Sequence, residues 1–427
     1  MRPSLLSTKL LVSGVHKDMP WVPGQTLPLT AYGARCPARH AMAATFSTRS
    51  MRGRQLIGEA HVLPCPDVDQ STLPNLTLED HRRVQRYLGR LSGIATAIDV
   101  IPSNSSEEKG GGVLAKDGET VRCESSRGVA WQKDVVLFGC YPRYTCDMQC
   151  LLHHVGRPSV RFAWAEGDVL SAMRVPTFAK SRPITPGGYG VLLPLNWRRH
   201  FEPLVKARKL DQEMALPFSR RKSMAVWRGA STGKSCDPTI NARLQLMLRW
   251  GGARSPLVNV AFSVLVQCLG AENRPRSPRR TQWQRSTSRT DRFVGTSISR
   301  LLHMKTSNMD MRDLMQFKYI IIVEGNDVAS SLPWVLSTDS VPLMAPPTIE
   351  AWLLHGDLVP WHHYVPLRPD FSDLEERVRW LESNPTEAMH IARAGREYAA
   401  PFGDPRRDVA VASEVMREYL SKVRFMH

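Results

Sequence analysis

The sequence predicts an α/β fold built on a parallel sheet, and two observations carry that reading. Residues 319–323 (YIIIV) form a short β-branched run without polar alternation, the pattern of a strand covered on both faces. The longer stretch 317–366 alternates such runs with loop-to-helix turns, the first of them Glu324-Gly325-Asn326-Asp327. Glycine there permits close backbone approach, and Asn326 or Asp327 can cap a helix beginning at Val328, Ala329 and Ser330. A helix N-terminus facing a strand end is an anion site, so a phosphate-bearing ligand is expected at this stretch.

The remaining elements follow from local pattern. Thr77-Leu78-Glu79-Asp80 is a helix start, with Val84, Tyr87, Leu88 and Leu91 on one face. Strand-like runs are expected at 135–138, 160–164, 191–195 and 224–227. Beyond Pro366 the chain reads as helical: Ser372-Asp373-Leu374-Glu375 predicts a capping box, and Leu374, Val378 and Leu381 a stripe. Asn384-Pro385 stops that helix and starts the next, and a last helix is expected over about 408–423. This pattern divides the chain into a basic N-terminal extension (1–74), an N-terminal lobe (75–215), a C-terminal lobe (216–400) and a C-terminal helix (401–427). The Arg/Ser/Pro-rich run 273–292 has almost no apolar residues and reads as a mobile insertion in the C-terminal lobe.

The net charge of +17 over 427 residues is unevenly placed. Residues 1–58 contribute +7 and residues 273–305 contribute +8, which leaves +2 for the other 336. The body of the protein is therefore nearly neutral, which argues against nucleic acid as a partner. The basic flanks suit solvated tails or contact with anionic lipid. Eight cysteines in a chain of this length do not make a disulfide framework, and Cys140, Cys146 and Cys150 lack a CxxC pair. No apolar run approaches the ~20 residues of a membrane span. HExxH is absent, which weakens a metalloprotease reading.

Several residues could carry chemistry. Gly229-Ala230-Ser231-Thr232-Gly233-Lys234-Ser235 imitates a phosphate-binding P-loop, but three residues separate its glycines where four are required. Arg228-Gly229 ends the 224–227 strand, where an arginine can hold phosphate bidentately or serve as a structural ion pair. Asp168 follows the 160–164 run in a loop, a position where a general base for a hydroxyl could act, although most loop aspartates are turn or cap residues. Lys180 and Arg182, with Arg198, Arg199 and His200, are basic clusters near strand ends. His362 and His363 are adjacent and would point apart on an extended segment, which disfavours a joint metal site.

Taken in order, Trp227-Arg228-Gly229, Phe317-Lys318-Tyr319-Ile320, Glu324-Gly325-Asn326-Asp327-Val328-Ala329-Ser330, Trp361-His362-His363-Tyr364-Val365-Pro366 and Ser372-Asp373-Leu374-Glu375-Glu376 resemble the glycosyltransferase family of capsule-associated proteins and protein O-glucosyltransferases (Rumi-like). Lys180-Ser181-Arg182-Pro183 and Arg199-His200-Phe201 are closer to its bacterial, lipopolysaccharide-modifying branch. The resemblance spans roughly residues 130–400. It implies two Rossmann-like lobes of GT-B type with the active site in the cleft between them, a nucleotide sugar as donor, usually uridine-diphosphate-linked, and inverting transfer without a metal or other cofactor.

Carried over by position, the resemblance assigns Asp168 as base. Arg228, Gly229, Gly325, Asn326, Asp327 and Ser330 fall on the donor, and Lys180 and Arg182 on the acceptor side. Animal members carry a further arginine where this chain has Ser331, so Lys318 or Arg243 is expected to help neutralise the diphosphate. The implied acceptor is a glycan or lipid-linked hydroxyl; without a recognisable secretory signal or membrane span, a cytoplasmic location is expected, with the basic flanks supplying peripheral contact at the inner membrane. A protein O-glucosyltransferase is the neighbouring alternative. A polyanion-binding protein and an inactive transferase-like scaffold are alternatives of other classes.

Overall fold

A computed structural model describes residues 73–101, 176–185, 187–195, 197–253, 255–269 and 300–425, short strands at Lys9–Leu11, Val113–Leu114 and Val121–Arg122, and isolated positions between 151 and 173, Asp168 among them. The expected strand at 135–138, the run 160–164 apart from Phe162, the cysteine cluster, the insertion 273–292 and most of the N-terminal extension lie outside the described residues. The chain divides into two compact units, Met1–Arg198 with Asp404–His427, and Arg199–Gly403.

In the first unit the helix Leu78–Leu88 forms where the sequence places it, with Thr77 and Asp80 making a reciprocal capping box. Val84, Tyr87, Leu88 and Leu91 are buried as one face. That face belongs with the C-terminal helix Pro405–Lys422, through a 2.5 Å pair between buried Arg83 and Asp408 and a 2.6 Å pair between Arg407 and Asp80. The Tyr419 ring of the same helix packs, tilted, 4.1 Å from that of Phe178, and its hydroxyl donates to the Pro176 carbonyl. The C-terminal helix is thus part of the first unit. The strand at 191–195 is realised as Gly190–Leu192, parallel to Thr177–Ala179.

The second unit begins earlier than the 215/216 boundary read from the sequence, because the helix Trp197–Met214 packs into it. Phe201 stacks on Trp352 at 3.8 Å, and Arg208 donates to the Ala399 carbonyl. Its centre is a five-stranded, wholly parallel sheet of β1 (Lys222–Ala230), β2 (Val258–Val264), β3 (Phe317–Ile322), β4 (Val341–Met344) and β5 (Val365–Pro366), in the order β5-β4-β3-β1-β2. Tyr319, Ile320, Ile321 and Ile322 are all buried, as the unalternating run requires. Leu374, Val378 and Leu381 of the helix Leu374–Ser383, with Ala388, Ile391 and Ala392 of Pro385–Ala399, complete one core with Trp227, Tyr319, Leu343 and Val365. At ~1.5–3 kcal/mol for each large side chain fully buried, this core dominates the unit's stability.

The expected capping box at Ser372 to Glu375 does not form. Asp373 is the N-cap without a side-chain cap bond, and its carboxylate instead accepts from Arg368 N and Arg377 Nε. Asn384 and Pro385 mark the next helix start as predicted. Among the described residues no helix is long and apolar enough to cross a membrane.

Candidate active site

The order β5-β4-β3-β1-β2 means that the chain leaves β1 toward β2 on one side, then returns to β1's other side and proceeds outward through β3, β4 and β5. Connections from neighbouring strands β1 and β3 therefore run in opposite directions, and a crevice opens at their carboxyl ends. Those ends are Arg228-Gly229-Ala230 and Val323-Glu324-Gly325. The two motifs that looked most informative in the sequence are brought together by the sheet.

Arg243 stitches the crevice floor. It is fixed at the start of the helix Ala242–Trp250, whose Asn241 cap accepts from Arg243 N and Leu244 N. Its guanidinium donates to the carbonyls of Val323 (3.2 and 3.4 Å) and Ala230 (3.0 Å) and to Thr232 Oγ1 (2.7 Å). Gly325 is required beside it, since a Cβ there would lie 2.8 Å from Arg243 Nη2. The close approach anticipated at this glycine is real, and what approaches is an arginine of the protein itself.

Arg228 is bonded differently. Its Nη1 donates to the carbonyls of Trp227 and Asn259, and its Nη2 to Asn259 Oδ1 at 2.7 Å. Its Nε is buried without a hydrogen-bond partner, and among the described residues no carboxylate pairs with it. Burial without a counter-charge lowers its pKa from the usual arginine value. A cation held in this way at a strand's carboxyl end is an electrostatic site for an anion. Gly229 after it leaves room for the Trp227 ring, which a Cβ would meet at 2.6 Å.

The loop after β1 closes the edge. Lys234 Nζ lies 3.2 Å from Glu324 Oε2 and 2.9 Å from Thr348 Oγ1. Glu324 also accepts from Thr348 N, Thr348 Oγ1 and Ile349 N. Gln267, at the left-handed φ of 53°, accepts from Gly233 N and donates to Asn326 Oδ1. Sequence reasoning assigned no role to Glu324 or Gln267 and set Lys234 aside with the failed P-loop. The one signal for Glu324 was its place directly after the buried strand.

Three expectations are corrected by this geometry. Residues 325–330 form a loop, not a helix start: the helix is Leu332–Leu336, five residues long, with Ser331 at its N-cap making no side-chain cap bond. Pro333 fixes that start, since proline is tolerated only in the first turn. Asn326 therefore bonds Gln267 instead of capping, while Asp327 is buried and Ser330 half-buried in the loop. Lys318 sits near the amino end of β3, held by both oxygens of Glu382 and by Ser223. Four further residues of strand at ~3.3 Å each lie between it and the carboxyl edge, so it cannot serve a ligand there.

In the first unit Asp168 pairs with Lys180 at 2.5 Å, and Lys180 is almost fully buried. The pair orients the carboxylate from below and leaves it about a quarter exposed. Lys180 thus supports Asp168 instead of facing an acceptor. Arg182 is also redirected: it donates to the carbonyls of Arg86, Tyr87 and Gly190 at 2.6–2.9 Å. It closes the carboxyl end of the helix Leu78–Leu88, where a cation also meets the negative end of the helix dipole. The side chains of Arg198, Arg199 and His200 lie outside the described residues.

The chain turns at Trp361 to His363 before entering β5, so the rings of His362 and His363 lie 4.5 Å apart and do not diverge as expected. His363 Nδ1 accepts from Val359 N, and burial, with the neighbouring His362, lowers its pKa to about 4. Cys236, in the loop after β1, is disulfide-bonded, which the cysteine count did not anticipate.

Comparison with known proteins finds relatives of this chain. The family model described as glycosyl transferase family 90 matches residues 197–402. The O-glucosyltransferase LpsA of Dichelobacter nodosus is 31% identical over 279 residues, 65% of this chain and 72% of its own length. Protein O-glucosyltransferase 2 of Danio rerio is 39% identical over 87 residues, 20% of this chain and 17% of its own length. The solved structure of Anabaena HepE in complex with UDP-glucose superposes with a TM-score of 0.33 at 11% identity over 64% of this chain and 68% of that one, a likeness too distant to define the fold. With the LpsA relative covered over most of its length, the chain belongs to glycosyl transferase family 90 and is a glycosyltransferase.

Proposed function

We propose that the protein is an inverting transferase of GT-B type that moves glucose or a related sugar from a uridine-diphosphate donor to a hydroxyl of a surface glycan such as lipopolysaccharide. The observation that carries this reading is Arg228, near the carboxyl end of β1 beside the topological switch point, a half-buried guanidinium that no carboxylate pairs among the described residues. Asp168 takes the acceptor proton as the acceptor oxygen bonds to the anomeric carbon. The bond from that carbon to the phosphate oxygen breaks with its electron pair on the diphosphate, and Arg228 stabilises the developing charge. Charge neutralisation is assigned to protein cations, so no metal takes part. The basic flanks would hold the enzyme at an anionic membrane surface on the cytoplasmic side.

The test is a panel of nucleotide sugars offered to wild type and Asp168→Asn with lipid-linked glycan acceptors, with and without EDTA. Wild type transfers sugar equally in both, while the variant binds donor normally and transfers ~10²–10⁴-fold more slowly. Retention of most of the wild-type rate by the variant would remove Asp168 from the mechanism.

A second reading, protein O-glucosyltransferase, is favoured by the disulfide at Cys236, because such bonds persist in oxidising compartments and are rare in the cytosol. Folded protein domains supplied as acceptors in place of glycans distinguish the two.

A further inference from the structure

We propose that Lys234 is the second cation of the donor site, passing from Glu324 to the departing diphosphate. The inference rests on the reading of the switch-point crevice as the nucleotide-sugar site. A nucleoside diphosphate leaving group carries more negative charge than one arginine offsets, and the other expected contributors are committed elsewhere. Lys318 is bound to Glu382 near the wrong end of β3. Arg243 spends its donors on Val323, Ala230 and Thr232. The helix after the 325–330 loop has five residues and begins only at Leu332.

Lys234 combines the properties the others lack. It follows β1 by four residues, lies at the carboxyl edge, and its side chain is about a third exposed. Its carboxylate partner is Glu324, two residues beyond β3. A partly exposed ion pair contributes little, so exchanging it for phosphate oxygens costs little. The exchange leaves no orphaned carboxylate, because Glu324 keeps Thr348 N at 2.8 Å, Thr348 Oγ1 at 2.5 Å and Ile349 N at 3.2 Å. Glu324 thereby parks the lysine beside the crevice when no donor is bound. As the bond to the anomeric carbon breaks, the ammonium donates hydrogen bonds to the diphosphate without giving up its proton. The lysine that failed the P-loop spacing test thus reaches phosphate by another backbone route.

Binding of uridine, UMP and UDP to wild type, Lys234→Met and Lys234→Arg, measured by calorimetry at two salt concentrations, tests this. Lys234→Met is expected to weaken UDP about tenfold or more, with uridine unchanged and a shallower salt dependence, and Lys234→Arg to recover most of the loss. Unchanged UDP affinity in Lys234→Met overturns the assignment. Equal losses for uridine and UDP also overturn it, since they mark a merely structural lysine. Failure of wild type to bind UDP overturns the donor-site reading and this inference with it, an outcome distinct from a failure confined to the variant.

Discussion

Arg182 shows how far a single side chain's meaning depends on what it reaches. In the sequence it is one of several cations near a strand end, suited to an anionic acceptor. In the structure its donors are consumed by three carbonyls, two of them in the last turn of the helix Leu78–Leu88. Charged hydrogen bonds of this kind contribute ~1.5–3 kcal/mol each when buried, and less where exposed. Arg182→Ala is therefore expected to lower the urea midpoint by a stability loss of about 2–3 kcal/mol while leaving the acceptor KM unchanged. A raised KM at unchanged stability would return Arg182 to the acceptor site.

Between residues and the whole chain, strands and their connecting turns decide which groups can titrate. His355 lies in the turn after the short strand Ile349–Ala351 and is 3% exposed, with Nδ1 accepting from Ala351 N and Nε2 without a hydrogen-bond partner among the described residues. Burial pushes its pKa down to about 3. The folded state holds the imidazole neutral, whereas the unfolded chain binds a proton near pH 6.5. Stability from this group is thus complete above pH 6.5 and falls progressively as the pH drops toward 3, by at most ~1.4 kcal/mol per pH unit. Unfolding measured by urea between pH 7 and 4.5 should show this slope, and His355→Leu should flatten it; an unaltered slope assigns the acid sensitivity to other groups.

Over the whole molecule, charge and chemistry are separated along the chain. Residues 1–58 and 273–305 together hold +15 of the net +17, while the switch-point crevice is built from a nearly neutral remainder. Replacing the seven arginines of 273–292 by glutamine is expected to abolish much of the salt-sensitive retention on heparin and to leave the donor KM unchanged. A large rise in donor KM would place that segment in the active site instead.

Much of the fold was legible because its signals are local. The unalternating run at 319–323, the stripe Leu374/Val378/Leu381 and the Asn384-Pro385 boundary each follow from side-chain branching, helical period or a missing N–H, and each appears where expected. The same locality identified the strand ends at Arg228 and Gly325 as the place to look for a ligand. Which cations are available at those ends was not legible. Arg243, Arg182 and Lys318 are spent on carbonyls and carboxylates distant in sequence, and Lys234 is delivered by the turn after β1 to a glutamate 90 residues away. Local pattern sets where backbone elements begin and end; the partner of a charge is set by long-range packing, because an ion pair forms across whatever distance in sequence the sheet order closes.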